Sequence, residues 1–302
     1  MPRLSLPVRD GNMQESGLKR RWNKGGPVAS IVAAYGLPHT PFYPFRVAEE
    51  GPSSPTGRMF GLARDSLAAA KPDVVVIFDT DHLNTFFFDN LPVFAIGVDE
   101  TFTGPCDEPR GVSVKTIPSH QKLAAHVRQH AVHAGFDLSL VQDFAVDHSV
   151  YVPLHFVTPE FSTPVIPVFI SGHWPPLPAA QRCFDLGMEV RKAIEAWPEP
   201  LRVAVIGTGS ISLEVFGPRI EPGRTDGVPD PDWVHEVCAH LEHGETAPLI
   251  RKATEERMQA AGNVGGELLN WIAMLAFTDN RKPDFLDKQM ENGHAYAGWR
   301  WG

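Results

Sequence analysis

The run Asp73-Val74-Val75-Val76-Ile77-Phe78 restricts the fold of this chain more than any other stretch. A strand with one wet face carries a polar residue at every second position, and here none occurs between Val74 and Phe78. The strand is therefore expected in the middle of a largely parallel sheet, covered on both faces. Ala29–Tyr35, Pro92–Val98, Val165–Ile170 and Leu201–Ile206 also have strand character, and Phe136–Val141 alternates as a half-exposed strand does. Helical spacing is read over Met59–Ala70, Ser119–Gly135 and Pro178–Trp197, the last with Cys183, Leu186, Val190, Ile194 and Trp197 on one face. Strands alternating with helices predict an α/β layered fold, with a central mixed, largely parallel sheet flanked by helices. Pro41–Pro55 reads as a loop. After the last strand, helices are expected over Asp232–Leu241, Glu245–Ala261 and the segment around Glu267, with an aromatic tail of Tyr296, Trp299 and Trp301. No repeat or low-complexity linker divides the chain, so residues 28–302 are read as one domain. Residues 1–27 hold Pro, Gly, Arg and Lys without periodicity and are read as an N-terminal arm or lid.

Composition narrows the classes of function. Hydrophobic residues make up 43% and charged residues 21%, as in globular rather than disordered chains. The net charge of −9 argues against a nucleic-acid or anionic-membrane surface, so the expected ligand is small. Cys106, Cys183 and Cys238 are odd in number and lack Cys-x-x-Cys spacing, which suggests neither a disulfide framework nor a thiolate zinc site. Met1–Lys24 has no apolar stretch of signal-peptide length, and no run reaches the roughly 20 residues of a membrane span. A cytoplasmic protein, neither exported nor anchored, is the expectation.

The functional pattern lies at the strand ends. In open α/β sheets, ligands bind beyond the carboxyl ends of strands. His39, His82, His173 and the turn Gly207-Thr208-Gly209 all follow expected strands and can converge on one pocket. That turn lacks the third Gly of a dinucleotide fingerprint and the Lys of a phosphate loop. Val146-Asp147-His148-Ser149 is a further polar cluster, with Asp147 read as an orienting or capping carboxylate. His126 and His130 have the spacing of a metal pair, but no acidic residue shares their helix face, and a solvated face is expected. His235, His240 and His243 are read the same way, and Arg219 as an ion-pair partner.

Glu267 sits inside the apolar stripe of Val264, Leu268, Trp271, Ile272 and Leu275 at helical spacing. A carboxylate there must be protonated, ion-paired or bound to a metal, because burying it uncompensated is prohibitive. Two histidines from loops and one glutamate would make a facial triad, which leaves three positions of an octahedral iron(II) open.

Taken together, Leu37-Pro38-His39, Asp81-His82-Leu83-Asn84, Pro92–Gly97, Val146-Asp147-His148, Pro153-Leu154, Gly207–Ser212 and Gly266–Trp271 resemble, in order, the class III extradiol ring-cleavage dioxygenases, and among them the catalytic subunits of the protocatechuate 4,5-dioxygenase type. The resemblance runs from about Ala29 to Phe277. It implies non-haem iron(II) held by His39, His82 and Glu267, with His148 near a catechol-like aromatic substrate and O2. The substrate implied is of the protocatechuate or gallate type, or a methoxylated catechol, aminophenol or hydroxypyridone. One position departs from the family. Its acid/base histidine directly follows Gly-Thr-Gly-x-x-Ser, and here that residue is Leu213, which cannot transfer a proton. Either His148 or His173 takes the role, or the substrate needs no base, or the chain is a lapsed member acting as a binding or partner subunit. A homodimer is expected, with a separate small subunit left open.

Overall fold

The computed structural model describes residues 28–222 and 227–301; the expected N-terminal arm lies outside them. In chain order the strands are β1 (Ser30–Leu37), β2 (Val74–Asp79), β3 (Phe94–Gly97), β4 (Thr101–Gly104), β5 (Lys115–Pro118), β6 (Leu138–Val141), β7 (Val165–Ile170), β8 (Arg202–Thr208), β9 (Phe285–Gln289) and β10 (His294–Arg300). The helices are α1 (Tyr43–Glu50), α2 (Pro55–Ala70), α3 (Gln121–His133), α4 (His148–Val157), α5 (Ala180–Glu195), α6 (Pro231–His243), α7 (Thr246–Lys252), α8 (Glu255–Ala261) and α9 (Leu268–Leu275).

Eight strands form one sheet in the order β6-β3-β7-β2-β8-β1-β10-β9, and β4 and β5 make a separate pair. The four central strands β7, β2, β8 and β1 are parallel, with Val76 beside Val205 and Gly36 beside Gly207. β3 is antiparallel to β7, and β10 is antiparallel to both β1 and β9, so the sheet is mixed at its margins. β2 is buried along its whole length. Val74, Val76 and Phe78 join the core shared with α3, α5, α6 and α9, whereas Val75 and Ile77 join the core shared with α2 and α4. An uninterrupted apolar strand is what two covered faces require.

Three expectations change, and one stretch with no assigned element joins a helix. Pro41–Pro55 contains α1, with Pro44 near its start, where a missing N–H goes unused. The expected helix over Glu245–Ala261 is two, α7 and α8, with the Thr254 side chain accepting from Arg257 N–H to cap the second. Val150–Leu154, which carries Pro153, belongs to α4. The aromatic tail is a β-hairpin whose inner strand pairs with β1. Ala295, Ala297 and Trp299 point to one core and Tyr296 to the other, a period of two that the aromatic content obscured.

α9 is buried throughout and lies directly on the sheet. A Cβ at Gly207 would come 2.6 Å from the Asn270 carbonyl oxygen, so glycine in β8 is what lets the helix approach this closely. No described helix is long and apolar enough to cross a membrane.

Candidate active site

β1, β2, β7 and β8 end on the same edge because they are parallel. His39 follows β1, His82 follows β2, His173 follows β7, and Gly209-Ser210 follows β8. The chain after β2 winds around Asp81, whose carboxylate accepts from the N–H groups of Asn84 (3.1 Å), Thr85 (2.9 Å) and Phe86 (3.0 Å). That turn fixes the position of His82. Glu267 lies in a 3₁₀ turn, Gly265–Glu267, just ahead of α9 rather than within a longer helix. It rests on Gly209, whose φ of +128° and missing side chain leave room for the carboxylate; a Cβ there would meet Oε2 at 2.9 Å.

The expected residues do meet. Glu267 Oε1 lies 3.2 Å from His39 Nε2, 3.4 Å from His82 Nε2 and 3.0 Å from His173 Nε2. Its other oxygen accepts the Ser210 N–H at 2.5 Å. His39 Nδ1 is 3.1 Å from Thr208 Oγ1, and His82 Nδ1 is 3.0 Å from Asp147 Oδ2. Protons on these Nδ1 atoms would leave the Nε2 lone pairs for a metal, whereas without one an Nε2–H must donate to the Glu267 carboxylate. Donor atoms of His39, His82 and His148 lie within 4.8 Å of one another, as do those of His82, His173 and Glu267.

The electrostatics favour positive charge at this place. Burial opposes ionisation of Glu267, yet the charge of His39 and hydrogen bonds from His173, His39 and His82 hold its carboxyl well below the ordinary range. Burial likewise opposes charge on His82, but Asp147 and Glu267 overcome it and raise its pKa to about 10. Asp147 is also held well below its usual value against burial, by His82 and His148. His39 and His173 are lowered, chiefly by burial. Buried carboxylates that favour a proton on a neighbouring imidazole would equally favour a divalent cation among the same nitrogens. The donor set of imidazole and carboxylate without thiolate therefore fits a metal of the iron(II) kind.

Asp147 both caps and orients, as its sequence context allowed. It accepts from Ser149 N–H at 2.8 Å at the start of α4 and from the backbone and ring of His82. Its Oδ1 also takes a 2.5 Å contact from Ser149 Oγ, which lies 3.1 Å from Asp79 Oδ2. Asp79 is fully buried, and burial pushes its carboxyl well above the usual range. A protonated Asp79 donating to Ser149, with Ser149 donating to Asp147, gives each contact a proton, while the other Asp79 oxygen, Oδ1, is buried without a partner.

His148 opens α4 and packs against His82, with centroids 4.1 Å apart and the rings inclined at 35°. Its Nδ1 hydrogen-bonds to Asp107, which leaves Nε2 as the free ring nitrogen. Leu213 is buried against Gly227, and its carbonyl accepts from Val264 N–H. Arg219 pairs with Glu214 at 3.1 Å. His235 and His243 are exposed, and His240 pairs with Glu245 at 2.9 Å. His126 and His130 are not solvated as expected. They bond across to α5, at the Ala193 carbonyl (3.0 Å) and Glu189 (3.0 Å).

Three contributors have no clear mark in the sequence. Asp107 lies 41 positions from His148 in an irregular Gly/Pro stretch. The Ser210 amide has no side-chain signature at all. His294, on β10, is buried, 2.6 Å from Tyr43 Oη and 3.2 Å from Ser210 Oγ, and burial lowers its pKa to about 4. A histidine followed by alternating small and aromatic residues was the available signal for it. Beside His173 a shallow, narrow cleft is lined by Phe86, Leu91, Pro92, Phe169 and Trp174.

A family profile described as the catalytic LigB subunit of aromatic ring-opening dioxygenase matches residues 33–297. A 2,3-dihydroxyphenylpropionate/2,3-dihydroxicinnamic acid 1,2-dioxygenase of Klebsiella pneumoniae (strain 342) is 26% identical over 279 residues, covering 80% of this chain and 87% of that protein. The protein of the same description from Escherichia coli (strain 55989 / EAEC) is 28% identical over 253 residues, covering 71% and 79%. A crystal structure of the uncharacterized protein JW3007 from Escherichia coli K12 shares the fold, with a TM-score of 0.55 at 14% identity over 88% of this chain and 99% of that one.

Proposed function

This chain belongs to the family of catalytic LigB subunits of aromatic ring-opening dioxygenases, and we propose that it uses iron(II), held by His39, His82 and Glu267, to open a ring bearing vicinal oxygen substituents. The observation that carries the ligand set is the approach of both Nε2 atoms to one buried carboxylate oxygen, at 3.2 and 3.4 Å, with each Nδ1 tied to an oxygen behind it. Metal-binding histidines are supported in this way. When bound, iron(II) supplies Lewis acidity and the electron needed to engage O2.

The chain's own groups do the rest. His148, with Nδ1 on Asp107 and Nε2 free, is placed to take the proton from the substrate hydroxyl and later to return one. It fills the part left open at Leu213. Phe86, Leu91, Pro92 and Trp174 make the cleft beside His173 an apolar wall for the ring and its substituent. The relatives' names indicate 2,3-dihydroxyphenylpropionate, which puts a catechol with a side chain first among candidates. Protocatechuate, gallate, methoxylated catechols, aminophenols and hydroxypyridones complete the panel.

Oxygen uptake by anaerobically iron-loaded protein, followed with loss of the aromatic absorbance for each compound, tests the reading. Glu267→Ala is expected to lose both iron binding and uptake. His148→Ala should keep its iron and turn over about 10²- to 10⁴-fold more slowly. Unchanged iron content in Glu267→Ala would refute the ligand set.

A further inference from the structure

The ligand set just proposed uses two imidazoles, and a third stands equally close. His173 Nε2 is 3.0 Å from Glu267 Oε1, nearer than His82 at 3.4 Å or His39 at 3.2 Å. Two donors that each lie about 2.1 Å from one ion are about 3.0 Å apart at a right angle and about 3.4 Å apart at the tetrahedral angle. All three separations therefore have the size of neighbouring ligand positions. His173 also shares with His82 and Glu267 a set of donor atoms within 4.8 Å of one another, whereas His39 belongs with His82 and His148 to a second such set, so that His82 links the two. The rings of His82 and His173 are 4.4 Å apart between centroids and inclined at 63°, which leaves their edges, not their faces, turned toward common space. His173 is largely enclosed, at 9% side-chain exposure, so it is not simply a solvated loop residue.

Support from behind separates this histidine from the others. His39 rests on Thr208, His82 on Asp147, and Glu267 on the Ser210 amide. The only hydrogen bond of the His173 side chain among the described residues is the one to Glu267, and its neighbour Trp174 is 43% exposed. A histidine without such backing is the weakest ligand of a set.

We propose that His173 is a fourth protein ligand of the metal, present in the resting enzyme and displaced when the substrate's vicinal oxygens bind. The inference rests on the ligand reading above. Three protein ligands leave three octahedral positions, enough for two substrate oxygens and O2, whereas four leave only two. A fourth ligand that remained in place would exclude one reactant. One that leaves with substrate binding makes readiness for O2 depend on substrate, and the unanchored imidazole is the one that can leave at least cost.

Fe(II) titration calorimetry and X-ray absorption, both anaerobic and on the full chain, test this with unsubstituted catechol as the probe. Wild type is expected to show three imidazoles at iron, falling to two when catechol is added. His173→Ala should show two throughout and bind Fe(II) about 10- to 100-fold more weakly. His173→Gln, close to histidine in size, guards against a loop collapse in the alanine variant, and thermal melting of both variants checks the fold. Two imidazoles in resting wild type, or equal Fe(II) affinity in both variants and wild type, would overturn the fourth ligand and leave the His39, His82 and Glu267 reading standing. Three imidazoles that persist with catechol would overturn displacement. Wild type that binds no Fe(II), or Glu267→Ala that retains it, would instead bring down the underlying ligand set and this inference with it.

Discussion

His39 and His82 are each held from behind by an oxygen, Thr208 Oγ1 at 3.1 Å and Asp147 Oδ2 at 3.0 Å, while among the described residues His173 has only the shared carboxylate to steady it. The first pair forms the braced wall of the site, where the end of β8 and the start of α4 supply acceptors that are themselves buried. The second wall, after β7, is a loop with Trp174 packed edge-on against the exposed Phe88. A position held by several independent contacts keeps its geometry through a reaction. A position held by one can give it up, and a site that must admit two reactants needs both kinds.

Acid should break this contrast most severely. His294, packed against Tyr43, Thr40 and Ser210 beside the braced wall, has its pKa lowered to about 4 by burial. The unfolded chain, with an ordinary histidine pKa near 6.5, binds the proton first. Stability is therefore complete above about pH 6.5 and is lost as the pH falls toward 4, by up to about 3 kcal/mol from this one group. Glu267 and Asp147, both held below the ordinary carboxylate range, lose their contribution at still lower pH. Denaturant unfolding of metal-free protein across this range should show the decline, and His294→Gln should flatten its upper part. An unchanged slope in the variant would remove His294 from the account.

Asp147→Ala sharpens the comparison from the side of the anchor. With the carboxylate behind His82 gone, metal affinity should fall about 10- to 100-fold. The loss of the cap on α4 should lower stability by about 1 kcal/mol. Calorimetric Fe(II) titration and thermal melting read the two effects separately, and an affinity equal to wild type would mean that His82 needs no support. Trp174→Ala, on the loose wall, should leave stability within about 0.5 kcal/mol and metal affinity unchanged, since it backs no proposed ligand. Its effect should appear only as a raised KM for catechols with bulky substituents. A drop in metal affinity there would show that the loop is held more firmly than His173's single bond indicates.

Much of this arrangement is legible in the amino-acid sequence. The uninterrupted Val74–Phe78 run called for two covered faces, and β2 sits between β7 and β8 with alternate side chains in opposite cores. Histidines placed just beyond such strands had to lie on one edge if the strands were parallel, and a glutamate in an apolar stripe had to be neutralised. The period of three or four in the helices and of two in half-buried strands is local, so the sequence carries it directly.

The missing parts are those that depend on which distant segments become neighbours. Asp107 meets His148 across 41 positions, Ser210 reaches Glu267 across 57, and His294 closes on Ser210 across 84. None of these pairs shares a periodicity, and one partner is a backbone amide that every residue except proline possesses. The order β7-β2-β8-β1-β10 brings them together, and that order follows from the packing of whole layers rather than from any single stretch. The sequence by itself determined the α/β class, the strand-end histidines and the need to neutralise Glu267. Only the tertiary structure decided which groups stand behind each histidine, and left His173 with none among the described residues, because support at a site is a matter of distance in space and hydrogen bonds act over about 3 Å.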